Sequence, residues 1–132
     1  MNTEWNKILE YALSLPSTVA DHPFEDDFIT TVLRHTDTGK WFGLIMMVTR
    51  SKVGLDGDGQ IGVLNLKCDM EDSLIVREMF DAIIPAYHMN KNHWISIILN
   101  GTVPSDVTET LIDRSYDLTA KKDKIKKGKQ IV

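Results

Sequence analysis

The densest run of groups able to do chemistry is Tyr87-His88-Met89-Asn90-Lys91-Asn92-His93-Trp94, where five hydrogen-bonding or charged side chains stand between two aromatic ones. Lysine and asparagine donate well to phosphate oxygens, and tyrosine or tryptophan offers a flat face on which a base can stack. On that reading Lys91 and Asn90 contact phosphate while Tyr87 or Trp94 stacks. The same side chains can instead satisfy the loop's own backbone, with Trp94 packed into the core. A basic run closes the chain with Lys121, Lys122, Lys124, Lys126, Lys127 and Lys129. If all six engaged duplex DNA, affinity would fall with salt at a log-log slope of roughly -5. The alternative is a solvated, disordered terminus that aids solubility.

Other chemistries find less in the sequence. His88 and His93 do not share a helix face, and zinc needs three or four ligands, so neither these nor His22 and Cys68 make a metal site by spacing. Asp56-Gly57-Asp58-Gly59 resembles a calcium loop only locally: counting from Asp56, position six is Ile61 and position twelve Lys67, where glycine and a bidentate glutamate are required. The same glycines lack the companions of a nucleotide-binding loop. No serine or cysteine stands in a nucleophile elbow, and the adjacent Asp26 and Asp27 read as solvated surface. No enzyme, cofactor or bound metal is expected.

These groups must be held by one small domain. The chain has 132 residues, 42% of them hydrophobic and 26% charged, enough for a single core without disulfides, and its one cysteine cannot form an internal bridge. No run of about 18 apolar residues marks a membrane span, and the opening Met1-Asn2-Thr3-Glu4 is no signal peptide, so the expected location is the cytoplasm. The net charge of -4 divides unevenly: residues 121–132 carry six lysines and one aspartate, +5, leaving nine basic and eighteen acidic residues, -9, in 1–120. Such a body repels a polyanion, which confines any nucleic-acid contact to a local patch or the tail. We expect a domain over 1–120 and a basic, disordered tail over 121–132.

Periodicity supplies the elements. Trp5, Ile8, Leu9, Ala12 and Leu13 share a helix face that ends at Pro16, with Asn2 or Thr3 as cap, and 15–27 reads as loop. Phe28–His35 and Trp41–Thr49 read as a hairpin about Gly39, followed by a mobile glycine-rich connection over 51–59. Ile61 to Leu66, apolar on both faces, is an interior strand. Asp69 caps a second helix whose buried face would be Ile75, Met79, Ala82 and Ile83, stopping before Pro85. Trp94–Leu99 is the last strand, and a final helix starting near Pro104-Ser105 would bury Val107, Leu111 and Leu118. The order α-β-β-β-α-β-α predicts an α+β domain, an antiparallel-rich sheet with helices on one face.

Four ordered motifs carry a resemblance to a known family: Leu15-Pro16 with Asp21-His22-Pro23-Phe24, then Leu66-Lys67-Cys68-Asp69, then Pro85-Ala86-Tyr87-His88-Met89-Asn90-Lys91-Asn92-His93-Trp94, and Leu111-Ile112-Asp113-Arg114-Ser115-Tyr116-Asp117-Leu118. Together they resemble the MmcQ/YjbR family of small bacterial proteins with a CyaY-like fold, from the first helix to about Lys121. The resemblance implies a DNA-binding protein, with Lys67, His88, Asn90, Lys91, His93 and Arg114 at the motif positions that would converge on one polar surface. The rival expectation is a small-molecule or anion pocket built from His88, Asn90, Lys91 and His93. The fold likeness also suggests metal on Asp21, Glu25, Asp26 and Asp27, although these acids fall in a loop.

Overall fold

A computed structural model of the chain describes residues 3–121. In chain order they form α1 (Thr3–Leu13), β1 (Thr18–Asp21), β2 (Thr31–His35), β3 (Trp41–Thr49), a 3-10 turn (Arg50–Val53), β4 (Gln60–Lys67), α2 (Met70–Met79), β5 (Ile83–Pro85), β6 (Trp94–Ile98) and α3 (Ser105–Thr119). The six strands make one antiparallel sheet in the order β1-β2-β3-β4-β6-β5. Among the described residues no helix is long and apolar enough to cross a membrane.

The three helices share one face of this sheet. Tyr11 of α1 donates to Asp113 of α3 at 2.7 Å, Arg114 of α3 pairs with Asp72 of α2, and Ser115 of α3 reaches down to β3 and β4. Trp5 packs where Gly62 has no side chain: a Cβ there would lie 3.2 Å from Leu99 and 3.4 Å from Trp5. Strand side chains alternate, so Gly62, Leu64 and Leu66 face the helices while Val63, Asn65 and Lys67 face away. The far face is not bare. Val32, Leu44, Met46, Val48, Val63 and Ile98 fall on it by register and are buried, and half-buried Leu55, Tyr87 and Met89 from the connecting segments pack against the core. Burial on both faces explains why β4 reads as a continuous apolar run.

The expected order holds, with two strands added and several boundaries moved. Residues 18–21, read as loop, form β1 on the sheet edge, where Asp21 pairs with Arg34 at 2.6 Å. Strand β2 begins at Thr31 rather than Phe28, because the Asp27 carboxylate accepts the amides of Ile29 and Thr30 in a local turn; Phe28 is left 85% exposed. The hairpin about Gly39 is present, with Gly39 at φ +75°. The stretch expected to be a loose connection holds the 3-10 turn and is tied by Arg50 N–H to the Gly59 carbonyl and Arg50 Nε to the Asp56 carbonyl.

Helix α2 is capped as expected, Asp69 accepting the Asp72 amide at 2.9 Å, but it ends at Met79. Ala82 lies in a turn and Ile83 in β5, while Ile75 and Met79 are exposed rather than buried. The cause is Pro85, which bars helix at Ile84, next to β-branched Ile83 that fits a strand edge. In the outer helices Leu13 and Leu118 are exposed; in α3 Leu111 is buried as expected and Val107 half-buried, and Thr108, Ile112, Ser115 and Thr119 complete the buried face. Polar residues at helical spacing hid that face.

Candidate functional site

The Tyr87–Trp94 segment follows β5 on the sheet edge and crosses the face away from the helices. Its course is set by two buried polar side chains in otherwise apolar strands. Asn65 of β4 donates from Nδ2 to the Tyr87 carbonyl at 2.9 Å, and Ser96 of β6 accepts the Tyr87 amide at 2.8 Å. The Ser96 hydroxyl in turn donates to Asn65 Oδ1, so both side chains, fully buried, are tied to each other and to the loop. Asn90 Oδ1 accepts the Asn92 amide, the Asn90 carbonyl accepts the amides of His93 and Trp94, and the His93 carbonyl accepts the Cys68 amide. His88 sits at φ +61°, an unusual conformation that turns its ring onto Tyr87 at a centroid distance of 4.0 Å.

With the Tyr87 backbone held from the sheet side and the next turn closed by Asn90, the side chains of His88, Asn90, Lys91 and His93 are left exposed. Lys91 Nζ donates one bond to the Ala86 carbonyl at 3.0 Å, which holds the ammonium over the loop and leaves two of its three N–H groups outward. The register pairs Lys67 with Trp94 and puts both on the face that carries Asn65 and Ser96. Lys67, Tyr87, His88, Asn90, Lys91 and His93 therefore gather at one end of one face. Arg114 does not join them: it lies on the helix face, and its guanidinium is engaged by Asp72. Lys121 is exposed at the end of the described chain, and Lys122, Lys124, Lys126, Lys127 and Lys129 lie outside the described residues.

The two residues that shape the loop, Asn65 and Ser96, did not stand out as candidates in the sequence. Their signal was a polar residue inside an apolar run, Val63-Leu64-Asn65-Leu66 and Ile95-Ser96-Ile97, where burial without a partner would be costly.

The helix face is electrostatically the opposite. Tyr11 is pushed up to about 12, first by its bond to Asp113 and then by burial and the carboxylates of Asp113 and Glu109. Burial also raises Glu4 and Asp117, the latter helped by Asp113. Two of the four acids named above are engaged: the Thr30 hydroxyl and the amides of Thr30 and Ile29 lower Asp27, and Asp21, in β1, is held by Arg34. Among the described residues no three His, Cys, Asp or Glu side chains are placed to hold a metal ion.

Cys68, whose amide bonds the His93 carbonyl of the loop, is buried, and desolvation, then Asp69 and Asp72, push its thiol up to about 11. At pH 8 the native protein should hold about one thiolate in a thousand molecules. A disulfide reagent should therefore react slowly with the folded chain and fully once it is unfolded in denaturant, and a fast native reaction would show that this end of β4 opens readily.

A family model described as YjbR matches residues 13–118, which spans β1 through most of α3 and the whole loop. The chain belongs to the YjbR family. Among YjbR relatives, the protein YyaQ of Bacillus subtilis is 48% identical over 102 residues, covering 77% of this chain and 86% of that one. YbdF of Escherichia coli O157:H7 is 32% identical over 107 residues, covering 81% and 76%. A crystal structure of a Pseudomonas syringae protein superposes with a TM-score of 0.82 at 38% identity over 91% of this chain and all of that one. A Deinococcus radiodurans structure with the domain DUF419 reaches 0.70 at 27% identity, covering 93% and 85%. The YjbR match thus takes in the site and stops short of the lysine tail.

Proposed function

We propose that this YjbR protein is a non-enzymatic DNA-binding protein whose loop, Tyr87 to Trp94, holds backbone phosphate. The observation that carries this reading is the division of labour in the loop. Asn65 and Ser96 take up the Tyr87 backbone from below, His88 and His93 are presented outward beside Lys67, and Lys91 and Asn90 each give one bond to the loop and keep further donors outward. Tyr87 and Trp94 supply aromatic surface at the two ends of the same segment.

Charge favours the same face. The helix face carries Glu4, Glu109, Asp113 and Asp117, and of its arginines Arg114 is paired with Asp72 and Arg77 bonds to Ser73, so a polyanion approaching there meets a surplus of acids. Arg114 is accordingly left out of the contact, and the tail lysines extend it. The exposed loop suits a backbone phosphate better than a small molecule, which is held by burying most of its surface.

Fluorescence anisotropy with a labelled duplex across a salt series tests the reading. Affinity should weaken as salt rises, and the log-log slope should shrink by about one for each of Lys67→Gln and Lys91→Gln, while Arg114→Gln leaves it unchanged. No binding at low salt, or binding indifferent to salt, sinks the proposal. Inorganic phosphate shifting the His88 and His93 resonances with no duplex binding would make the loop a small-anion site instead.

A further inference from the structure

The rings of the loop and its cations come in couples. His88 stands in the left-handed region at φ +61°, with its imidazole against Tyr87 at a centroid distance of 4.0 Å and a tilt of 52°. Tyr87 is half-buried and fixed to the sheet through Asn65 and Ser96, so it buttresses an imidazole that is itself exposed. Lys91 Nζ lies 3.0 Å from the Ala86 carbonyl, one residue before that ring pair. The second couple is Trp94 with Lys67. They are register partners between β6 and β4, both half-buried and on the same face, which sets their Cβ atoms about 4.5–5.5 Å apart.

A short step separates the two couples. The Tyr87 amide is bound by Ser96, two residues along β6 from Trp94, and two residues of strand span about 7 Å. A ring beside an ammonium suits an unpaired nucleotide, which lays its base on the ring and its phosphate on the cation. A duplex cannot use the rings. Its bases follow one another at about 3.4 Å in each strand and show only their edges, and those edges are read by a helix or a two-stranded ribbon laid in the major groove. In this fold the three helices lie on the opposite face of the sheet, where α1 and α3 carry Glu4, Glu109, Asp113 and Asp117.

We infer that the DNA taken by this loop is single-stranded, with one base on the imidazole of His88, a neighbouring base on the indole of Trp94, and their phosphates at Lys91 and Lys67. The inference rests on the DNA-binding reading and names the form of nucleic acid that the same site takes.

A labelled oligodeoxynucleotide of about 12 residues, of mixed sequence and without self-complementarity, tests it when titrated alone and annealed to its complement. Phosphate contacts by themselves favour the duplex, which carries about twice the charge per unit length. The single strand should nevertheless bind about fivefold tighter or more, quench the indole fluorescence and move the His88 ring protons upfield. His88→Asn keeps a residue that tolerates positive φ and donates hydrogen bonds but has no ring. It should weaken the single strand about fivefold or more and leave the duplex where it was. Duplex bound as tightly as single strand, or a His88→Asn loss shared equally by both forms, overturns the inference and leaves the DNA-binding reading standing. The same sequence bound more tightly as RNA overturns the assignment to DNA. Binding of neither form defeats the DNA-binding reading and this inference with it.

Discussion

Replacing Phe42 with alanine should cost about 3–5 kcal/mol of folding stability, the largest loss from any single truncation considered. Phe42 is fully buried at a bulge in β3, where the pairing with β2 shifts between Leu33 and Arg34 and turns its ring toward the helices. There it meets His35 at 5.2 Å and Tyr116 of α3 at 5.3 Å edge to face, and His35 lies 4.5 Å from Tyr116. The Phe42 carbonyl accepts from Ser115 Oγ at 2.6 Å, and His35 Nε2 donates to Thr119 Oγ1, whose own proton goes to the Ser115 carbonyl. One bulge therefore joins the hairpin to the last two turns of α3. Against a total stability of about 5–15 kcal/mol, such a loss is about a fifth of the total or more. Urea unfolding should show a lower midpoint with an unchanged slope, and Phe42→Leu should recover over half of the difference. A loss below about 1 kcal/mol would mean that the helix closes the gap by itself.

What could be read in advance, and what could not, follows one physical division. Elements set by periodicity over eight or more residues, such as α1, β3, β4 and α3, were legible because a repeating apolar face needs a repeating backbone. The strands that were not are β1 and β5, of four and three residues, too short for a pattern and stabilised by the neighbour they pair with. Sequence places Pro85 at the end of a helix; the structure makes it the end of an edge strand, and both satisfy proline's lack of a donor. The misplaced face of α2 has the same origin. Ile75 and Met79 are apolar at helical spacing, which ordinarily means core, and only the tertiary packing shows that they are left outside.

The candidate site was legible as a cluster but not as a construction. The residue types in Tyr87 to Trp94 announce donors and stacking surfaces, and both possible uses of them, ligand and self-satisfaction, are partly realised. Lys91 gives one bond to Ala86 and keeps two outward, and Asn90 gives its oxygen to Asn92. Arg114 shows the limit of reading motifs in order. Its motif stands with the others along the chain, yet helix and loop end on opposite faces of the sheet, and the ion pair with Asp72 completes the separation.

Asn65→Ala should cost about 2–3 kcal/mol and, unlike Phe42→Ala, should act first on the loop. The amide of Asn65 serves two partners: it donates to the Tyr87 carbonyl and accepts from Ser96, whose hydroxyl also holds the Tyr87 amide. Alanine leaves the Tyr87 carbonyl buried without its donor and the Ser96 hydroxyl without its acceptor, in a place where both side chains were fully enclosed. The loop can regain those bonds only by lifting off the sheet into water. Amide hydrogen exchange should then accelerate over residues 86–94 well beyond the increase in the central strand β4, and duplex affinity should fall even though Lys67, Lys91, His88 and His93 are all present. Exchange that rises uniformly across the chain would reduce Asn65 to an ordinary core residue. Exchange that rises in the loop with affinity unchanged would separate the loop's pose from phosphate contact and remove the main support for the binding proposal.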